Sequence, residues 1–144
     1  RHLFHDHHLP MSVKHGYQAL AADENRQVFA PILWRSTQGW PGQVQQMWFL
    51  GSHADIGGQV GGFPASRPLA NISLVWMLSR LPLPPLWRNR FFRDSDAPSV
   101  GTWQGWSKFF LRRKRRTIGA DRSEQVYDLL HKEPAAAASD LVAR

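Results

Sequence analysis

Cysteine is absent from the 144-residue sequence. The chain can therefore form neither a disulfide framework nor a metal site with thiolate ligands. Long apolar runs are also lacking, because even residues 72–78, one of the longest apolar stretches, fall far short of the roughly 20 residues that cross a bilayer as a helix. These absences exclude disulfide-rich domains, thiolate metal sites and a helical membrane span from what the sequence encodes.

Acidic residues are few. Eleven Asp and Glu stand against 18 Lys and Arg, which gives a formal net charge of +7. Such an excess predicts an anionic partner such as nucleic acid or a lipid surface. Five of the positive charges form one run, here called the basic segment, and the rest of the chain is nearly balanced; the basic segment consists of Arg112, Arg113, Lys114, Arg115 and Arg116.

The length is that of one domain with its own core. Because the first residue is Arg1 rather than Met, we expect the chain to be a piece of a longer protein. Residues 1–133 are predicted to belong to one domain. Residues 134–144, which include four consecutive alanines, are predicted to be a low-complexity tail.

Four histidines lie near the start of the chain, at His2, His5, His7 and His8. Zinc ligands come at spacings that let two side chains converge, such as i, i+4 on a helix. Pro10 and the lack of any regular apolar period provide no such frame. Solvated loop histidines are therefore the favoured interpretation, and we predict no metal site and no cofactor.

Three segments show helical patterns. Residues 12–30 have an apolar period near that of a helix, ended by Pro31, with Asp23, Glu24 and Arg26 expected on a solvated face. Residues 68–81 are apolar on nearly all sides, which predicts a buried helix. A short helix is expected from Asp121 through residues 126–130 because Asp121 and Glu124 have capping-box spacing. Residues 87–99 show no regular pattern.

Residues 44–50 predict a strand. Its last four residues are continuously apolar, which is typical of a strand covered on both faces of a mostly parallel sheet. After Gly51, the chain places His53 and Asp55 between glycines. Many α/β enzymes present a catalytic base on such a loop, although a structural turn histidine is the alternative. The following glycines, Gly57 and Gly58 among them, form a loop that is either mobile or able to approach a ligand closely.

Aromatic residues directly precede the basic segment. Trp103, Trp106, Phe109 and Phe110 could stack on bases or lie at a lipid headgroup layer. A solvated face or a contact between domains is the more common use of such a run. Among anionic partners, residues 103–116 favour a lipid surface over nucleic acid.

Residues 15–34 (HGYQALAADENRQVFAPILW), 46–58 (QMWFLGSHADIGG) and 69–78 (LANISLVWML), in this order, resemble an α/β-hydrolase domain of bacteria and fungi. That domain also forms the catalytic part of one class of type VI secretion phospholipase effectors. Residues 99–128 are similar to the C-terminal part of its bacterial members. The resemblance implies an α/β fold, namely the C-terminal portion of an α/β-hydrolase-like, mostly parallel sheet covered by helices. It also implies a protein of the bacterial cytoplasm or a secreted effector.

The chemistry that the resemblance implies is ester hydrolysis by a serine, an aspartate and a histidine, in that chain order. His53 matches the family's histidine, the general base. Asp55 matches the adjacent acid, which we expect to shape the loop, because a residue two positions away rarely reaches the same ring productively. Asp23 matches an acidic motif together with Glu24 and Arg26, and is a reserve candidate for the acid.

The nucleophile is not in this sequence, since no G-x-S-x-G motif occurs in it. The family's serine motif and its aspartate lie upstream of the matching part. We therefore expect a fragment of a lipolytic serine-type ester hydrolase, inactive alone, whose partners are a lipid or other ester substrate and the missing N-terminal half of the domain.

The sequence departs from the family pattern in two places. Asn71 stands where the family prefers an acid, and Gln59 with Val60 interrupts the glycine-rich continuation, so substrate contacts there are expected to differ. The alternative function is a non-catalytic interaction module that uses residues 103–116 to bind a partner, a membrane or nucleic acid.

Overall fold

A computed structural model describes residues 7–103 and 109–127. In chain order the strands and helices are β1 (His15–Ala21), β2 (Gln43–Phe49), α1 (His53–Gly57), α2 (Arg67–Leu78), α3 (Leu86–Asn89) and β3 (Glu124–Val126), with 3-10 turns at Gln27–Phe29 and Pro64–Ser66. Several features predicted from the sequence lie outside the described residues, among them His2, His5, Trp106 and the tail 134–144.

The sheet has three strands in the order β1-β2-β3, and both pairs are parallel. In the first pair His15 lies opposite Gln43 and Ala21 opposite Phe49. The predicted strand over residues 44–50 is confirmed, shifted by one residue at each end. A small parallel sheet with a few helices is the arrangement expected of the α/β class.

The predicted helix over residues 12–30 is wrong, because this part of the chain contains β1 and one 3-10 turn. Tyr17 and Ala19 pack against the core, whereas Gly16 and Leu20 are buried at the alternate positions of the strand. A Cβ added at Gly16 would lie 2.5 Å from Leu9. Because it has no side chain, Gly16 allows close packing against this strand. The same residue would destabilise a helix.

The helix predicted from Asp121 is also wrong within the described residues, because residues 124–126 form β3. The capping-box contact itself is present: the Asp121 backbone N–H donates to the Glu124 carboxylate over 2.8 Å. It closes a turn, and the chain then pairs with β2, where the Tyr127 N–H donates to the Trp48 carbonyl over 2.8 Å. Residues 128–130 of that prediction lie outside the described part.

The core lies between the sheet and α2. Leu69, Ile72 and Trp76 of α2 are buried against Met47 and Phe49 of β2. The predicted second helix is confirmed, although it ends at residue 78 instead of 81. The single turn α3 falls partly within residues 87–99, where no regular structure was expected. None of the described helices is long and apolar enough to span a membrane.

Candidate functional site

The loops that follow β1 and β2 are joined to each other, because parallel strands end at the same edge of a sheet. The Ala22 N–H donates to the Phe49 carbonyl over 2.9 Å, and the Asp23 N–H to the Gly51 carbonyl over 3.2 Å. The exposed carboxylate of Asp23 accepts the Gly51 N–H over 2.6 Å. Asp23 therefore fixes the loop that leads into α1.

Gly51 is the residue on which this loop turns. Its φ is +121°, which side chains rarely allow, and an added Cβ would lie 2.9 Å from the Cβ of Asp55. Both observations require glycine at this position. The turn leads directly to Ser52, which begins α1 as its N-cap.

His53 is the first residue of α1, so it lies on a short helix rather than in the glycine-flanked turn that the sequence predicted. Its side chain is exposed. The imidazole stacks on the ring of Phe29, with centroids 4.8 Å apart and planes 20° apart. Over residues 7–103 and 109–127, neither ring nitrogen of His53 forms a hydrogen bond. The exposed ring is therefore available to a group outside these residues.

Glu24 and Arg26 form a buried ion pair behind His53, with Glu24 only 1% and Arg26 6% exposed. The Arg26 side chain donates through Nε over 2.8 Å and through Nη2 over 2.5 Å. Burial raises the pKa of the Glu24 carboxyl, but hydrogen bonds and the charge of Arg26 outweigh it, so its pKa lies below the ordinary value. The expectation of a solvated face was wrong for these two residues.

Glu24 also reaches the backbone of His53, whose N–H donates to its Oε2 over 3.1 Å. The Arg26 guanidinium lies 4.4 Å above the Phe29 ring that stacks on the imidazole. The ion pair therefore contacts the backbone of His53 directly and its imidazole indirectly, through the Phe29 ring. The signal in the sequence was the spacing of Glu24 and Arg26, since residues two apart in an extended segment face the same side.

Asp55 is completely buried and holds α1 in place. Its Oδ2 accepts the N–H and the hydroxyl of Ser52, both over 2.7 Å, and the Ser99 hydroxyl over 2.6 Å. Its Oδ1 accepts the Val100 N–H over 2.8 Å. Burial raises the pKa of Asp55, but these hydrogen bonds outweigh it, so its pKa lies below the ordinary value. None of these four bonds involves the His53 ring.

Gly57 and Gly58 lie at the end of α1. Gly58 ends the helix with a φ of +75°, and its carbonyl accepts a bond from Arg67 over 3.0 Å. Both glycines border an open cavity of about 330 Å³. Asn71 lines the same cavity, and its side-chain amide donates to the Phe92 carbonyl over 2.7 Å. The two glycines therefore lie next to a space that a ligand can enter.

Residues 1–80 match the family model of the catalytic domain of Tle1-like phospholipase effectors of the type VI secretion system (T6SS). This match spans more than half of the chain. The chain belongs to this family. No curated protein and no solved structure matches the chain.

The matched part of the Tle1-like domain contains β1, β2, α1 and all of α2. The loops that carry Asp23, Glu24 and His53 therefore belong to the family's catalytic domain. Ser99 and the basic segment lie beyond the matched residues, although Ser99 bonds to Asp55 within them.

The basic segment of this Tle1-like chain divides into inward and outward side chains. Arg113 points inward: it donates to the Asn25 side chain over 2.6 Å and to the Thr102 carbonyl over 3.1 Å, and it lies 3.8 Å above the Trp103 ring. The half-buried Arg116 donates to the Arg26 carbonyl over 2.9 Å. Burial lowers the pKa of Arg116, and the charge of Glu24 partly offsets this.

Arg112, Lys114 and Arg115 are the exposed members of the basic segment. Two backbone bonds hold them beside the loop of Glu24: the Gln27 N–H donates to the Arg112 carbonyl over 2.9 Å, and the Lys114 N–H to the Asn25 carbonyl over 2.8 Å. The segment therefore lies against the loop that supports His53.

The described histidines of the first segment do not gather around a common centre. The Nδ1 of His7 lies 2.8 Å from the Leu33 carbonyl oxygen. Within the part of the chain that the structure describes, no three His, Cys, Asp or Glu side chains come close enough together to hold a metal ion.

Proposed function

We propose that this Tle1-like chain supplies the general base of a serine-type carboxylic ester hydrolase that acts on phospholipid or a similar lipid ester. The observation that carries the proposal is the position of His53. Its exposed imidazole stands at the carboxyl end of a parallel sheet, within the residues that match the phospholipase effector family. Histidine is the side chain that most often serves as a general base.

In the proposed reaction, a ring nitrogen of His53 takes the proton of a serine hydroxyl as the serine oxygen attacks the ester carbonyl. The imidazolium then returns that proton to the departing alkoxide, which leaves an acyl-serine. Water, deprotonated by the same nitrogen, attacks the acyl group. The imidazolium returns this proton to the serine oxygen as the acyl-serine bond breaks, which releases the fatty acid. Because no G-x-S-x-G motif occurs here, we propose that the serine and the triad acid lie outside these 144 residues.

The neighbours of His53 act as positioning residues in this proposal. Phe29 sets the plane of the imidazole through their stacking contact, and Glu24 holds the backbone of His53 through its N–H. Asp55 anchors the first turn of α1 to Ser99 and Val100, and Asp23 fixes the preceding loop. Buried, fully bonded carboxylates give the base a rigid support.

The test replaces His53 by alanine in the full-length protein that carries this chain and measures fatty acid release from phospholipid vesicles. We expect the rate to fall by about a thousandfold or more, because removing a triad base disables the whole nucleophilic step. The matched control is His15→Ala, an exposed histidine on β1. Circular dichroism checks that both variants fold. Hydrolysis by folded His53→Ala at the wild-type rate would refute the assignment.

The division of the basic segment supports a second part of the proposal, contact with an anionic lipid surface. Three cations remain exposed there, and the neighbouring apolar side chains Phe110 and Leu111 are 39% and 77% exposed. Phe110 also contacts Phe29, with ring centroids 5.7 Å apart. An exposed strip of mixed cationic and apolar side chains suits a lipid interface better than nucleic acid. The strip would place the membrane close to His53.

A further inference from the structure

A second cavity, of about 450 Å³, lies on the sheet away from His53. The first half of α2 borders Phe49 and Leu50, near the end of β2. The last part of α2, with Val75 and Ser79, borders the second cavity together with Gln45 near the start of β2. The helix thus runs antiparallel to β2, and this cavity lies toward the opposite end of the sheet from His53.

Positive charge dominates the wall of this cavity. Three arginines line it, Arg80, Arg88 and Arg93, and no carboxylate is among the described residues of its wall. Arg80 comes just after α2, and Arg88 belongs to α3. Guanidinium groups that line one cavity without a carboxylate repel each other, so an anion among them is favoured.

Two buried donors at this wall have no partner. Trp76 is only 5% exposed, and neither its indole N–H nor the Nε–H of Arg80 meets an acceptor within the described structure. The Arg80 guanidinium lies 5.1 Å from the Trp76 ring centroid. Buried donors without partners are costly, so an acceptor brought within reach of this wall is favoured.

The carbonyl oxygens at the end of α2 do not compete for that role, because the chain already bonds them. The Ser79 N–H donates to the Val75 carbonyl over 2.9 Å, and the Ser79 hydroxyl to the Trp76 carbonyl over 2.6 Å. The Met77 carbonyl accepts the Arg80 N–H over 3.1 Å. The donors of the arginines and of Trp76 therefore remain for a ligand.

We propose that this cavity binds the phosphate group of a small phosphorylated molecule or of a phospholipid headgroup. Guanidinium groups pair with phosphate oxygens through parallel hydrogen bonds, which lysine cannot match. The cavity has the size of a site for an organic ligand, larger than a bare phosphate needs. Side-chain amides of Gln45, Asn89 and Gln125 line it. The Gln45 amide already donates to the Gln125 side-chain oxygen over 3.0 Å, so the amide groups of Asn89 and Gln125 supply neutral donors for the rest of the ligand. This phosphate cavity is separate from His53 and goes beyond the proposed hydrolysis.

The experiment titrates the full-length protein with glycerol 3-phosphate and, separately, with inorganic phosphate, by calorimetry. Both titrations use the His53→Ala variant, so that hydrolysis plays no part and failure of one proposal leaves the other intact. In nuclear magnetic resonance spectra we expect the indole N–H signal of Trp76 to move as the ligand binds. That signal is assigned by its loss in Trp76→Phe.

The variant Arg88→Gln with Arg93→Gln removes two of the three guanidinium groups. We expect this double variant to bind glycerol 3-phosphate about tenfold or more weakly, because each replacement removes charge-assisted hydrogen bonds to the phosphate. Arg90→Gln is the matched control: Arg90 is exposed beside the same short helix and lies over the Trp87 ring instead of lining the cavity. The affinity of the Arg90→Gln variant for glycerol 3-phosphate should equal that of the parent protein.

The choice of ligands identifies the source of the phosphate. Tighter binding of glycerol 3-phosphate than of inorganic phosphate indicates a phosphorylated organic molecule, and equal binding indicates free phosphate. Displacement of glycerol 3-phosphate by phosphatidylglycerol vesicles indicates a lipid headgroup. The proposal is overturned if neither ligand binds, if the Trp76 signal stays in place, or if Arg90→Gln weakens binding as much as the double variant.

Discussion

Two buried carboxylates support the exposed ring of His53, and they do so differently. Glu24 pairs with a guanidinium and holds the backbone of His53, whereas Asp55 is neutralised only by hydroxyl and backbone donors. Charge-assisted hydrogen bonds of this kind are stronger than those between neutral groups. The first turn of α1 is thus fixed by two anions, while the imidazole itself stacks on Phe29 and stays exposed.

The lowered pKa of Asp55 predicts acid sensitivity. Its ordinary pKa is 3.8, and the folded protein lowers it, so the carboxylate stabilises the fold above that pH and loses this contribution as the pH falls through the lower folded value. We expect the unfolding free energy of the full-length protein, from urea titrations between about pH 6 and pH 2.5, to decline below about pH 4.

Asp55→Asn should lower the unfolding free energy at neutral pH and flatten its decline in acid. The matched control is Asp96→Asn, which removes an exposed carboxylate three residues before Ser99. If the acid decline of Asp55→Asn is as steep as that of the wild type, other carboxylates are responsible for it.

At the scale of single elements, the turn between β2 and α1 depends on Gly51. Gly51→Ala should reduce the unfolding free energy by about 1–3 kcal/mol, because alanine is strained at a positive φ and its Cβ would press on Asp55. Gly57→Ala is the comparison, since nothing lies within 4 Å of the added Cβ and the position is helical. That variant should be neutral or slightly more stable in the same chemical denaturation experiment. Equal losses in both variants would contradict this account.

The elements that the sequence predicted correctly are those with a strong apolar pattern. The continuous run before Gly51 identified β2, and the apolar residues of α2 identified a buried helix. The short strands β1 and β3 were missed because their pairing with β2, rather than their own residues, decides their conformation. Local spacing, such as that of Asp121 and Glu124, predicted the contact but not the element that follows it.

The candidate site was predictable to a similar extent. The apolar run before Gly51 indicated a histidine soon after the end of a buried strand, and the structure places His53 there, although on α1 instead of in a glycine-flanked turn. The supports of that histidine come from distant parts of the chain: Ser99 lies 44 residues from Asp55, and Glu24 lies 29 residues from His53. No local pattern links such residues, so the contacts of Glu24 with His53 and of Ser99 with Asp55 could be found only in the folded chain.

At the scale of the whole molecule, the exposed cations of the basic segment should govern attachment to anionic membranes. Replacing Arg112, Lys114 and Arg115 by glutamine removes three charges, each worth about 1 kcal/mol near an anionic surface. We expect binding of the full-length protein to phosphatidylglycerol vesicles, measured by co-sedimentation at fixed salt, to weaken about a hundredfold.

A control with the same charge loss replaces Lys14, Arg35 and Arg122, which are also exposed. This triple variant should bind vesicles nearly as well as the wild type, because its cations lie outside the strip with Phe110 and Leu111. Equal weakening in both triple variants would indicate a dependence on net charge alone. Unchanged binding in the basic segment variant would exclude this surface as the membrane contact.

The bonds that hold the basic segment in place join residues very far apart along the chain. Asn25 and Arg113 are separated by 88 positions, and Arg26 and Arg116 by 90. Closing loops of this length costs entropy before any contact forms, and folding slows as such contacts come to dominate. During synthesis, the loop of Glu24 leaves the ribosome long before the arginines that cover it. The loop of Glu24 therefore reaches its final conformation late in folding.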